Sequence, residues 1–318
     1  MNIPITKSLD MFLVDQELKG NSNKTINNYR NYVGYFIDYI GTDKMTYDID
    51  IPILNDYQIS MKNKKKYEGH PFHTGGGKIS SVTLQTYIRQ LRVYLAWLYK
   101  EGCIEIDLVE KFRLPKADKK LVSILNDEEI EKLLNKYKKN TEMNVRNACI
   151  IALMLDSGLR LSEVVGIEYD NIYLSQNIVK VFGKGHKERT VPIGIYTKKL
   201  LYKYITAYRS MPEYDTKSLF VDKYKKPLTE DSVKMLFKRL RKTLDIDRLH
   251  PHLLRHTFAT QYLINGGDTF SLQQILGHTS LEMVRRYSHL ASSHMLNKHR
   301  KYSPIDNHIM LRLNHKNR

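Results

Sequence analysis

Apolar positions recur with a helical period through the first third of the chain. In "SLDMFLVDQELKG", residues 8–20, Leu9, Phe12, Leu13 and Leu18 fall at helical spacing and Gly20 supplies a stop. A second helix opens at a Ser22/Asn23 cap, lines Ile26, Tyr29, Val33, Phe36, Ile37 and Ile40 along one face, and closes at Gly41. A third, "SSVTLQTYIRQLRVYLAWLYKEG", starts from a serine cap and stops at Gly102. Its stripe is Leu84, Ile88, Leu91, Leu95 and Leu98, with Arg89 and Arg92 off it. Before this helix, residues 62–78, "KNKKKYEGHPFHTGGGK", are basic and glycine-rich and read as a loop.

"RLPKADKKL", residues 113–121, is short, basic and broken by Pro115, which marks a linker. The expected division is a helical domain over 1–113, a linker over 114–122 and a second domain over 123–318. In the second domain, Asn126 caps a helix whose first turn is acidic, as the helix dipole favours. "ACIIALMLDSGLRLSEVVGI" is an apolar helix, a break at Gly158 and a short helix. The period then changes: "NIVKVFGKGHKERTVPI" is two β-rich runs around a Gly-Lys-Gly turn, a hairpin. Helices are expected again over 196–210, 229–244 and 251–265, with shorter ones after Phe270. The fold class is therefore mainly α with a small β-sheet.

Composition narrows the function. At 318 residues the chain has room for one large or two medium domains, each able to bury its own core. Lys and Arg number 51 against 34 Asp and Glu, a net +17 that favours a polyanionic partner, nucleic acid above all, over a merely basic surface. Cys103 and Cys149 form neither a metal spacing nor a disulfide framework, which fits a reducing cytoplasm. The N-terminus lacks a signal-peptide pattern, and no apolar run approaches the roughly 20 residues of a membrane span, so a cytoplasmic protein without membrane association is expected.

Certain residues stand out in the second domain. Arg160 follows the glycine break in "SGLRLSE", and Lys184 occupies the hairpin tip in "GKGHKER". His252 and Arg255 in "HPHLLRH" share a helix face behind Pro251, while His278 and Tyr287 lie in "LGHTSLEMVRRYSHL". Taken singly each has a bland reading: an ion-pair arginine, a solvated turn lysine, a packed tyrosine. His252 and His256 are spaced like half a zinc site, but no Glu follows the first and no third ligand is suitably placed. As a set they suit an anionic reaction centre. Guanidinium groups clamp phosphate oxygens, imidazoles add hydrogen bonds, a lysine can protonate a departing oxygen and a tyrosine can form a covalent intermediate. The sequence contains no Walker motif and no acidic triplet for Mg²⁺, so the expected chemistry is phosphoryl transfer without ATP, metal or other cofactor.

The boxes "SGLRLSEVVGI", "GKGHKERTVPI", "HPHLLRHTFATQYLINGGD" and "LQQILGHTSLEMVRRYSHL" resemble, in order and spacing, the tyrosine recombinase (phage integrase) family, nearest its Xer-like and mobile-element members. The resemblance implies a helical, SAM-like core-binding domain followed by a mixed α+β catalytic domain. It implies that Arg160 and Arg255 hold the scissile phosphate, that His252 hydrogen-bonds it, and that His278 fills a position that is His or Trp in relatives. It further implies Lys184 as general acid, Glu163 as structural support and Tyr287 as the nucleophile that becomes linked to a DNA 3′-phosphate. The implied partner is a double-stranded recombination site, with a homotetramer acting on two sites and an accessory directionality factor possible in principle. The chain starts at the core-binding domain, so no arm-binding domain is expected before it. A type IB topoisomerase and a non-catalytic DNA-binding regulator are the alternatives.

Overall fold

The computed structural model describes residues 1–66, 76–118, 123–183, 187–211 and 216–277, with single positions at 299, 303 and 305. The chain divides into two compact units, Met1–Lys120 and Leu121–Arg318.

The first unit is helical. Helices α1 (Ile5–Leu18), α2 (Asn23–Ile40) and α4 (Ser81–Lys100) pack around Phe12, whose ring meets Tyr29, Tyr94 and Trp97 edge-on at 5.1, 5.4 and 5.6 Å. Ser22 and Ser80 cap α2 and α4 as the sequence suggests, each accepting a backbone N–H three residues on. Two details differ from the sequence pattern. The first helix begins at Ile5, and Leu18 projects into solvent at 84% exposure, so the buried stripe ends at Gln16. A further helix, α3 (Ile51–Asn63), is capped by Asp50 and buries Leu54, Tyr57 and Met61. It takes the first two residues of the segment read as a loop. The base of that loop is a clasp in which Lys66 N donates to Gly77 O and Ile79 N to Lys64 O. Residues 67–75 lie outside the described residues. A short helix α5 (Leu108–Lys111) follows α4. Residues 114–118, in the segment read as linker, rest on α4: Gln85 Nε2 donates to Pro115 O, and Ser81 Oγ to Asp118.

The second unit is built on α7 (Glu142–Ser157), an almost wholly buried helix flanked by α9 (Ile195–Lys203) and α11 (Pro251–Ile264). Ahead of it, α6 (Asp127–Asn135) starts from Asn126, which exchanges hydrogen bonds with Glu129 as a capping box. The sheet is antiparallel, in the order β1 (Ile172–Tyr173), β2 (Ile178–Phe182), β3 (Glu188–Pro192). In the β2–β3 hairpin Val179 pairs with Val191 and Val181 with Arg189, and this set faces inward. Helix α9 widens into a π-helical turn over Tyr204–Tyr208, within the stretch expected to be one helix. Helices α8 (Leu161–Val165), α10 (Glu230–Leu244) and α12 (Thr269–Leu276) complete the unit. No described helix is long and apolar enough to cross a membrane.

Candidate active site

The site is organised by a glycine. Gly158 ends α7 in the left-handed conformation, φ +62°, and a Cβ there would stand 2.4 Å from the Phe258 ring and 2.9 Å from Leu276 Cδ2. Only a residue without a side chain lets α7 approach α11 and α12 so closely. The Gly158 carbonyl accepts Arg255 Nη1 at 2.6 Å, and Arg255 Nη2 reaches Leu276 O at 2.8 Å. Arg255 is only 4% exposed, so these carbonyls fix its guanidinium.

Two residues beyond Gly158 the chain enters α8, with Arg160 as its first capping position. The Glu163 carboxylate folds back onto the Arg160 backbone N–H at 2.7 Å and accepts Arg160 Nη1 at 2.8 Å. One side of the Arg160 guanidinium is thereby held, yet the side chain stays 31% exposed and open to a ligand. Among the described residues, no partner meets its Nη2.

Glu163 is fully buried. Its second cation is Arg189 of β3, which forks onto both carboxylate oxygens, Nη1 to Oε1 at 2.6 Å and Nη2 to Oε2 at 2.9 Å. Burial works against the charged carboxylate. The Arg189 hydrogen bonds, the Arg160 N–H and the nearby guanidinium charges outweigh it and hold the group down at about 2. Arg189 Nε also donates to Ile275 O at 2.9 Å. The carbonyls of Ile275 and Leu276, orphans at the C-terminus of α12, thus receive Arg189 and Arg255 respectively. Gly277 closes that helix at φ +61°.

On α11, His252 lies one turn before Arg255 and is exposed. Partial desolvation first, then the charges of Arg255, His250 and Arg160, press its pKa below the ordinary imidazole value. The ring is therefore neutral at pH 7 and can take a proton. Among the residues singled out by sequence, Arg160, Glu163, His252 and Arg255 converge here. Lys184, His278 and Tyr287 lie outside the described residues. Arg189 was not singled out, because it reads as one more basic residue in "GKGHKERTVPI". Its signal is the period of the strand: it alternates with buried Val191, so it belongs to the inward face.

Three guanidinium groups, a neutral imidazole and a single carboxylate locked by charge-assisted bonds leave a net positive, preorganised surface. Such a surface binds an anion and gains most when negative charge grows on it. Among the described residues, no group of three His, Cys, Asp or Glu side chains could hold a metal.

Comparison with known proteins agrees with this geometry. The family model "Phage integrase family" matches residues 123–294, and "Phage integrase SAM-like domain" matches residues 10–114. The chain is 31% identical over 297 residues to tyrosine recombinase XerD of Oceanobacillus iheyensis, covering 90% of this chain and 94% of that protein. It is 29% identical over 308 residues to XerD of Listeria innocua serovar 6a, covering 96% and 99%. Solved structures share the fold at lower identity. The Tn1549 transposon integrase in complex with a circular intermediate DNA superposes with a TM-score of 0.71 at 17% identity, over 88% of this chain and 94% of that one. The XerH site-specific recombinase bound to its palindromic difH substrate gives 0.70 at 20%, over 93% and 85%. With both domain models matched in order and the relatives aligned nearly end to end, the chain belongs to the phage integrase family, the tyrosine recombinases.

Proposed function

We propose that the chain is a site-specific tyrosine recombinase that cuts and rejoins DNA strands through a 3′-phosphotyrosyl intermediate. The observation that carries the reading is the guanidinium pair, Arg160 and Arg255, drawn from two distant boxes and anchored by Glu163 and by the carbonyls of Gly158 and Leu276. In the proposed reaction the Tyr287 oxygen attacks the scissile phosphorus while its proton passes to a base, for which neutral His252 is suited. The bond from phosphorus to the 5′-oxygen breaks, and Lys184 supplies the proton to that oxygen. Arg160, Arg255, His252 and His278 meet the charge that builds on the non-bridging oxygens. The products are a 3′-phosphotyrosine and a 5′-hydroxyl. A 5′-hydroxyl from a second duplex then attacks the phosphotyrosine and releases Tyr287. One phosphodiester is exchanged for another, so the cycle needs no ATP.

At the finer level, the proposal is a homotetramer acting on two duplex sites in the cytoplasm, in the service of a mobile element or of dimer resolution, with an accessory directionality factor where direction is imposed. Support comes from the Xer-like relatives and from the basic charge of the chain.

The test is a plasmid carrying two copies of the DNA that flanks the gene, incubated with the protein in EDTA without ATP. Recombinant circles are expected. Relaxation of any supercoiled plasmid, with or without the sites, would instead identify a topoisomerase. Binding with no strand cleavage would identify a regulator.

A further inference from the structure

Arg189 occupies a place where the sheet calls for an apolar side chain. It faces inward on β3, pairs in register with buried Val181, and its side chain is only 14% exposed. A charge buried there is costly unless it is fully paired. Its pairing is specific: the fork spans both oxygens of Glu163, and the remaining Nε–H meets Ile275 O. The surroundings are shaped to admit it. A Cβ on Gly277 would lie 3.1 to 3.2 Å from the Arg189 Cδ, Nε and Cζ atoms, and one on Gly183 would lie 3.5 Å from Nη1.

Glu163 thus serves two arginines with one carboxylate, and what one takes the other cannot. Arg160 keeps a single side-chain bond to it, through Nη1 and Oε1, because Arg189 engages both oxygens. If Arg189 were removed, a buried carboxylate facing one remaining cation would draw Arg160 into a bidentate pair. The guanidinium edge that now looks outward would turn inward.

We propose that Arg189 is a positioning residue: by saturating Glu163 it limits the hold of that carboxylate on Arg160 and so leaves the Arg160 guanidinium to the scissile phosphate. The same side chain ties the β2–β3 hairpin to the C-terminal end of α12, so that both borders of the site are set by one group. The proposal rests on the recombinase reading above.

The test is a double-mutant cycle on single-turnover formation of the protein–DNA adduct, with Arg189→Met, Arg160→Ala and the double variant. Each is assayed on a duplex with an ordinary scissile phosphate and on one with a neutral methylphosphonate there. Arg189→Met is expected to slow the phosphodiester reaction by about 10- to 100-fold, comparable with the loss of a transition-state donor. Adding it to Arg160→Ala should cost less than about threefold more, because both act through one guanidinium. On the methylphosphonate, which carries no charge for that guanidinium to meet, the ratio of wild type to Arg189→Met should shrink toward one. Equal losses on both substrates, or full additivity with Arg160→Ala, would reduce Arg189 to a packing residue. Arg189→Lys keeps the charge but not the fork, and is expected to behave like Arg189→Met. Should the Met variant fail to fold, the Lys variant decides the cycle by the same criteria. Wild-type protein that forms no adduct on any fragment would overturn the recombinase reading itself, a result separate from additivity in the cycle.

Discussion

Glu163 and His252 carry opposite charge logic into the same site, and each predicts a pH dependence. The folded Glu163 carboxyl is held at about 2 against an ordinary 4.5, so its stabilisation is complete above the unfolded value and is lost as pH falls from 4.5 through about 2. That difference corresponds to on the order of 3 kcal/mol. Glu163→Gln should therefore lose about 3 kcal/mol or more at pH 7, since it leaves two arginines around a neutral group, and should unfold with a shallower acid dependence. Urea titrations at several pH values check both. His252 has a folded pKa below 6.5, so protonation disfavours the folded site and the ring stays neutral until pH falls below that value. Cleavage should be level at neutral pH and decline only below about 6.5, and His252→Gln should abolish that acid limb. An unchanged limb in the variant would take the proton-accepting role from His252. At this scale the sequence is informative where chemistry demands unusual residues: Arg160, His252 and Arg255 stand out on their own, while Glu163 is legible only through the family resemblance. Arg189 is not legible, because its role is visible only once a strand register turns it inward among valines.

At the scale of elements, breaks matter more than the helices they separate. Gly158 allows α7, α11 and α12 to meet and offers the carbonyl that holds Arg255. Gly158→Ala would place a methyl in a left-handed position against Phe258 and Leu276, at a cost of about 2–4 kcal/mol in unfolding free energy. It should also depress cleavage in the protein that remains folded, by shifting Arg255. A urea midpoint and adduct rate equal to wild type would contradict this account of the glycine. The strong helices and the hairpin were legible from their periods, whereas α3 was not. Its buried positions, Leu54, Tyr57 and Met61, share the segment with Ile51, Ile53 and an exposed Ile59, which blurs the stripe, and Pro52 looks like a breaker until it is seen in the first turn, where its missing N–H costs nothing. Leu18 shows the reverse error. It continues the apolar spacing of α1 but lies beyond the last residue that another helix covers, and it is exposed.

For the whole molecule the dominant quantity is a net charge of +17. A duplex held by about six phosphate contacts should be bound on the order of 10³-fold more weakly at about 200 mM salt than at about 50 mM, whatever its sequence. Filter-binding or anisotropy titrations over that range would show it, and a flat response would mean that basic side chains do not carry the affinity. The organisation into a helical unit and a mixed α+β unit is readable from the change of period at Asn177 and from Pro115, because each unit buries its own core. The central claim concerns one covalent bond. Nicked duplexes from the DNA flanking the gene, incubated with wild-type and Tyr287→Phe protein in EDTA and quenched in SDS, test it most directly, with peptide mapping of any adduct. The account predicts an adduct joined through Tyr287 to a 3′-phosphate, absent from the Phe variant although that variant still binds the DNA. An adduct that persists in Tyr287→Phe, or maps to another residue, would contradict it.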